Sequence, residues 1–411
     1  MKKFNKIFGV VLASCMTLSL LAGCGGDNNT KENQSGESQN TGSQDDTQNA
    51  DNQTAGGEGV FKIGGIGPIT GNNAVYGQAV QNAMQIAIDE INEAGGVNGY
   101  TFEMNFQDDE SDPEKSVNAY NNLKDWGMQL LVGTVTSGPC VAVAAETNTD
   151  NMFQLTPSGS SVECVEHPNA FRVCFSDPNQ GFGAAKYIGE NSLGNKVAII
   201  YDSSSIYSSG IYTKFTEEAA NQNFEIVSAE AFTADNATDF SVQLQKAKDA
   251  GADLVFLPIY YTEASLILTQ ANQMGYEPTF VGCDGLDGIL AVENFDLALA
   301  EDVILLTPFA ADATDDLTVS FVTKYQEKHG DIPNQFAADA YDAVYIVKAA
   351  IEKSGATPDM SVSDLCEAIK GAMTEISVNG LTGEAITWTE DGEPNKAPRA
   401  VVIKDGAYVA M

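Results

Sequence analysis

Short apolar runs and amphipathic stretches take turns along most of this chain. Residues 60–66 are mostly apolar and read as a strand. Beyond them Val80, Ala83, Met84, Ala87, Ile88 and Ile91 recur at the i, i+3, i+4, i+7 spacing of one helical face, which Gly95-Gly96 ends. Residues 102–106 predict a second strand, and Asp112-Pro113 supplies an N-cap and first-turn proline for a helix to about Trp126. Strands over 129–132 and 153–155 flank a helix over 140–147. The rhythm returns in a second block. Residues 196–201 and 253–257 are short, nearly all-apolar runs, which suit strands buried on both faces of a parallel sheet. Helical patterns near 209–222, 239–250 and 262–274 separate the strands, and 336–353 is a longer helix. Asp391-Gly392 marks a late turn, and Asp405-Gly406 within "AVVIKDGAYVAM" a terminal hairpin. Repeated strand-helix units in two blocks predict two doubly wound α/β lobes. No fixed-period repeat is present.

The first 58 residues break this pattern. Lys2, Lys3 and Lys6 precede a mostly apolar run over 7–21, followed by Leu21-Ala22-Gly23-Cys24. That is the layout of a secretory signal, 1–23. The tetrapeptide resembles a lipobox, which implies that Cys24 carries the lipid and starts the mature chain. Residues 25–58 contain no aromatic residue and no aliphatic one larger than alanine, so 24–58 reads as a lipidated cysteine and a flexible tether. The expectation is a body held by a lipid anchor at the outer, extracytoplasmic face of the cell membrane. That body, 59–411, is about 350 residues, more than one core comfortably serves.

Charge and chemistry narrow the function. A formal net charge of −36 repels nucleic-acid phosphates, so no nucleic-acid partner is expected. Five of the seven cysteines lie in the body: Cys140, Cys164, Cys174, Cys283 and Cys366. Cys164 and Cys174 flank a short loop and could form a disulfide outside the cell, or remain two separate thiols. The two histidines, His167 and His329, stand far apart with no thiol pair beside them, so neither a metal site nor a cofactor is expected. The turn after the first strand, Gly65-x-Gly67-x-x-x-Gly71, misses the dinucleotide spacing, and Pro68 removes an amide that a phosphate would use. No Gly-x-Ser-x-Gly elbow occurs, and no enzyme is predicted.

In doubly wound sheets ligands bind outside the carboxyl ends of the strands. "GTVTSGPCVA" follows the strand at 129–132, and "TPSGSSVE" follows the strand at 153–155. Hydroxyls, free amides and helix N-termini can hold a carboxylate there without a lysine, although each loop alone could be ordinary capping. In the second block Tyr260 and Tyr261 end one strand, and Asp284 stands among glycines at the end of another. Tyr76, at a helix start, and Tyr207, in "DSSSIYSSG", could wall a cleft. An acid can hold an ammonium, so the two lobes together read as a clamp for a zwitterion.

"IGGIGPITGNNAVYGQAVQNAMQIAIDEINEAGGVNGY", "DDESDPEKSVNAYNNL", "VGTVTSGP", "KVAIIYDSSSIYSSG" and "FVGCDG", in this order, resemble the branched-chain amino-acid binding proteins of ABC importers. The resemblance covers 60–411 and implies a type I periplasmic-binding fold. The lobes would be 59–178 with 307–388 and 179–306 with 389–411, joined by crossings near 178, 307 and 389. Ser137 and the amides of Gly159 and Ser160 would hold the ligand carboxylate. Asp284 and Tyr260 would face its ammonium, and Tyr76 and Tyr207 its side chain. The partners implied are an amino acid and a membrane permease, with the binding protein a monomer. Asp284 departs from the longer glutamate that Leu/Ile/Val binders of this kind often carry, and Ser111 and Thr136 stand where some members have a disulfide. Cys140 and Cys283 match no feature of the family. Related members bind short amides, urea or aromatic acids, and Asp284 favours an amino acid over these ligands; a sensor role for the same clamp stays open.

Overall fold

A computed structural model describes residues 59–411. The signal, Cys24 and the tether lie outside those residues. The first block is β1 (Val60–Gly67), α1 (Ala74–Glu93), β2 (Thr101–Asp108), α2 (Pro113–Trp126), β3 (Leu130–Gly133), α3 (Ser137–Asp150), β4 (Gln154–Thr156) and β5 (Ala170–Arg172). Its strands form a parallel sheet in the order β2-β1-β3-β4-β5. The local signals act as their chemistry requires. The Asp112 side chain accepts from the Lys115 amide and caps α2, and Gly127 closes it with φ 91°.

The second block runs through α4 (Asp177–Glu190), β6 (Lys196–Asp202), α5 (Ile206–Ala219), β7 (Glu225–Phe232), α6 (Ser241–Asp249), β8 (Leu254–Leu257), α7 (Tyr261–Gln273), β9 (Thr279–Gly282) and β10 (Ile304–Thr307). The chain then leaves this sheet. α8 (Asp316–His329), α9 (Gln335–Ser354) and α10 (Val362–Met373) follow; α9 lies along α1 and contacts β3, and α8 also meets α1. A small antiparallel pair, β11 (Val378–Gly380) and β12 (Gly383–Ile386), precedes the terminal hairpin β13 (Arg399–Lys404) and β14 (Ala407–Ala410). The hairpin pairs antiparallel with β10 and completes a seven-stranded sheet, β14-β13-β10-β9-β8-β6-β7. The architecture is therefore two α/β lobes: the chain passes from the first sheet to the second after β5, leaves the second after β10 for helices packed on the first lobe, and returns to the second at β13.

Buried apolar side chains of β1, β3 and β8 fill the sheet interiors, with Ile63, Leu130, Val132, Val255 and Leu257 inaccessible to solvent. α1 and α9 bury their apolar faces together through Val80, Ala83, Met84, Ala87, Ala340, Val344 and Val347. Among the described residues, no helix is long and apolar enough to cross a membrane.

Candidate functional site

The carboxyl ends of both sheets converge on one cavity. Tyr76, Val135, Thr136, Ser137, Ser158, Ser160, Tyr207, Tyr260, Asp284 and Phe336 line it. Six of the seven residues expected to bind ligand, all but Gly159, are thus brought together. The cavity measures about 10 Å³, enough for roughly one water molecule. The lobes are closed and aromatic rings fill the space between them. Tyr76 stacks on Phe336 with ring centroids 4.1 Å apart, and Tyr207 on Tyr260 at 4.8 Å.

On the first sheet the helix over 140–147 starts three residues earlier than its apolar spacing suggests. Ser137 is the first residue of α3, so its hydroxyl sits at the positive end of a 14-residue helix. The hydroxyl accepts from the Ser160 amide at 3.3 Å and the Ser161 amide at 3.2 Å, and lies 3.4 Å from the Ser160 hydroxyl. Gly159 corrects one expectation. Its amide donates to Thr156 Oγ1 at 2.7 Å and is directed into the fold rather than the cleft, and it is the Ser161 amide that joins the Ser160 amide on Ser137 Oγ. Gly159 remains necessary, because a Cβ there would lie 2.7 Å from Cys140 Sγ and 2.8 Å from Thr156 Oγ1.

On the second sheet Asp284 is buried just after β9. Tyr207 donates its O–H to Asp284 Oδ1 at 2.7 Å, and the Asp284 amide donates to Gln180 Oε1 at 3.1 Å. Burial pushes the Asp284 carboxyl up to about 7, with the Tyr207 and Gln180 hydrogen bonds pulling the other way. The site thus offers amides and hydroxyls at one end and a carboxylate at the other, which is the polarity of a zwitterion. Tyr76 Oη donates to the Gly285 carbonyl and accepts from the Tyr261 amide at 3.4 Å, tying the two walls together.

Sequence reasoning missed Phe336, Gln180 and Arg172. Phe336 stands in an apolar helix, where ligand wall and core read alike. Gln180 carries no local signal. Arg172 is fully buried behind the Ser160 loop and donates to the carbonyls of Gly159 and Ser161. The possible Cys164–Cys174 disulfide is absent. Both thiols are free and buried, and the extended β5 between them carries the chain away from Cys164, whose Sγ faces the Ser137 carbonyl at 3.8 Å. Among the described residues no group of His, Cys, Asp and Glu is placed to hold a metal ion. A larger cavity of about 660 Å³ lies beside the cleft, between α1, α8 and the 288–291 loop. Its charged lining is Asp287, Asp312 and Asp331, with no basic side chain, which disfavours an anionic ligand there.

The profile described as "Periplasmic binding protein" matches residues 60–407. The chain belongs to that family. It is 30% identical over 335 residues to the Leu/Ile/Val-binding protein BraC3 of Rhizobium johnstonii, covering 80% of this chain and 88% of the relative. Among solved structures it is similar to the branched-chain amino acid transporter substrate binding protein LivJ of Streptococcus pneumoniae, determined with isoleucine. The TM-score is 0.77 at 28% identity, covering 85% of this chain and 98% of the other. It is also similar to the leucine binding protein LivK of Thermotoga maritima, with TM-score 0.76 at 26% identity, covering 85% and 97%. The fold is that of type I periplasmic binding proteins.

Proposed function

We propose that this protein captures an amino acid in the interlobe cleft and delivers it to the permease of an ABC importer, without making or breaking a covalent bond. Cys24 would carry the lipid anchor and residues 24–58 the tether, at the extracytoplasmic face. The lobes comprise 59–178 with 307–388 and 179–306 with 389–411, hinged near 178, 307 and 389. The observation that carries this reading is the shared lining, with Ser137 and Ser160 at one end of a single cavity and Asp284 at the other.

The ligand's carboxylate meets Ser137 and the Ser160 and Ser161 amides, and its ammonium meets Asp284 and Tyr260. The four aromatic rings favour an apolar side chain, as does the similarity to a protein solved with isoleucine. With the cleft shut there is no room for such a side chain, so the lobes part to admit it. A ligand favours reclosure only to the extent that it touches both lobes better in the closed state. The permease then reads the closed shape.

A thermal-shift screen of the purified protein tests this reading. The panel is the twenty amino acids, short amides, urea and benzoates. Leucine, isoleucine or valine should raise the melting temperature, since a ligand at about 100 times its Kd adds about 2.7 kcal/mol to stability. Stabilisation by amides or benzoates alone would replace the amino acid with those classes.

A further inference from the structure

Arg172, on β5, is inaccessible to solvent and is not among the residues that line the cleft. Its Nη1 donates to the Gly159 carbonyl at 3.1 Å and its Nη2 to the Ser161 carbonyl at 2.9 Å. The Gly159 carbonyl and the Ser160 N–H belong to one peptide group, and that N–H is directed at Ser137 Oγ. A continuous line therefore runs from the guanidinium, through one peptide, to the cleft. A cationic donor on a peptide carbonyl polarises the group and makes its N–H a stronger donor. The surroundings call for such a source. The chain carries a formal charge of −36, and the loop has no lysine. Asp177 is buried nearby with both carboxylate oxygens unpartnered, and its amide donates to the Ser160 carbonyl at 2.9 Å.

Arg172 is also held from behind, although its Nε has no partner. Glu393 pairs with Nη2 at 3.2 Å, the Arg172 amide donates to the Gly392 carbonyl at 3.1 Å, and its carbonyl accepts from Trp388 Nε1 at 2.8 Å. These partners lie on the segment that leads from β12 to β13. We infer that Arg172 is a positioning residue for the anionic end of the ligand. It holds the loop so that the Ser160 amide faces the cleft, and it strengthens that amide as a donor to a carboxylate. The inference rests on the reading of this loop as the carboxylate site.

Leucine and leucinamide are suitable probes, because they differ only in whether that end carries charge. Wild-type protein should bind leucine at least about tenfold more tightly than leucinamide. Equal binding would remove the carboxylate reading and this inference with it. In Arg172→Gln the preference for leucine should shrink by about tenfold while leucinamide affinity stays within about twofold. Without ligand, the Ser160 amide proton should move upfield in the NMR spectrum of the same variant. Arg172→Lys keeps the charge with fewer donors, should fall between the two, and serves if the glutamine variant does not fold. Equal loss for both ligands, or an unchanged preference, with the Ser160 resonance unmoved, would reduce Arg172 to a structural tie and overturn the inference.

Discussion

Asp284 concentrates the chemistry of the cleft in one side chain. It is buried with Tyr207 on one oxygen, and no lysine or arginine lines its cavity. An ammonium arriving there gains a partner that water no longer screens. Asp284→Ala should therefore weaken amino-acid binding by about 2–5 kcal/mol. Unchanged affinity by calorimetry would place the ammonium elsewhere. Burial raises the carboxyl to about 7 in the closed, unliganded protein. The form that pairs with an ammonium is the deprotonated one, so below that value binding must first expel a proton. Affinity should then climb by up to about tenfold per pH unit between pH 5 and 7 and level off above. Asp284→Asn should flatten that profile, and a profile that keeps its slope in the variant would assign the titration to another group.

The elements meet across the cleft through a small set of direct contacts from α1 and α7. Thr262, in the first turn of α7, donates Oγ1 to the Asn72 carbonyl at 2.8 Å, and the Val75 amide donates to Tyr261 Oη at 3.3 Å. Thr262→Ala removes one closed-state hydrogen bond at the surface and touches neither lining nor core. Affinity should fall by about 0.5–1.5 kcal/mol, with stopped-flow traces showing the change in the release rate. An unaltered release rate would mean that the contact does not hold the lobes shut. Most of these elements were legible in the sequence, because their signals are local. The α1 face has clean helical spacing, Asp112 caps α2 as its position implies, and Asp405 and Gly406 both take positive φ in the terminal hairpin, 51° and 74°. Two of the misses, α4 and β7, have a cause in tertiary contact. α4 carries Gly181, Gly183 and Gly189, which dilute its pattern, yet a Cβ at Gly181 would stand 2.5 Å from the Ile211 carbonyl of α5. β7 lies at the edge of its sheet, half-exposed and without a buried apolar run. The site divides in the same way. Residues at strand ends could be placed by position, whereas the direction of the Gly159 amide and the reach of Arg172 depend on neighbours distant in sequence.

At the scale of the whole molecule the excess of acid is partly folded inward. Asp109, Asp284 and Asp287 are each raised to about 7, in every case chiefly by burial, and Asp339 to about 6 even with Lys396 at 3.1 Å. In the unfolded chain these groups return to ordinary carboxylate values near 4. Between about pH 4 and 7 the folded state therefore binds more protons than the unfolded one, and stability falls as pH rises through that window. Glu90 acts in the opposite sense. Its own burial is outweighed by hydrogen bonds from Lys324, Tyr341 and Tyr345, so its carboxyl is held below the usual range and its contribution disappears only in stronger acid. The two windows barely overlap, which leaves an optimum on the mildly acid side. The unliganded protein should melt at a higher temperature at pH 5.5 than at pH 8, and Asp284→Asn should reduce that difference, since one of the buried titrations is gone. A saturating amino acid should reduce it too, because an ammonium beside Asp284 stabilises the charge that burial penalises. Calorimetric melting across this range, with and without leucine, checks all three expectations. A melting temperature that rises from pH 5.5 to 8 in the absence of ligand would mean that these carboxyls are hydrated in solution and are not raised by burial.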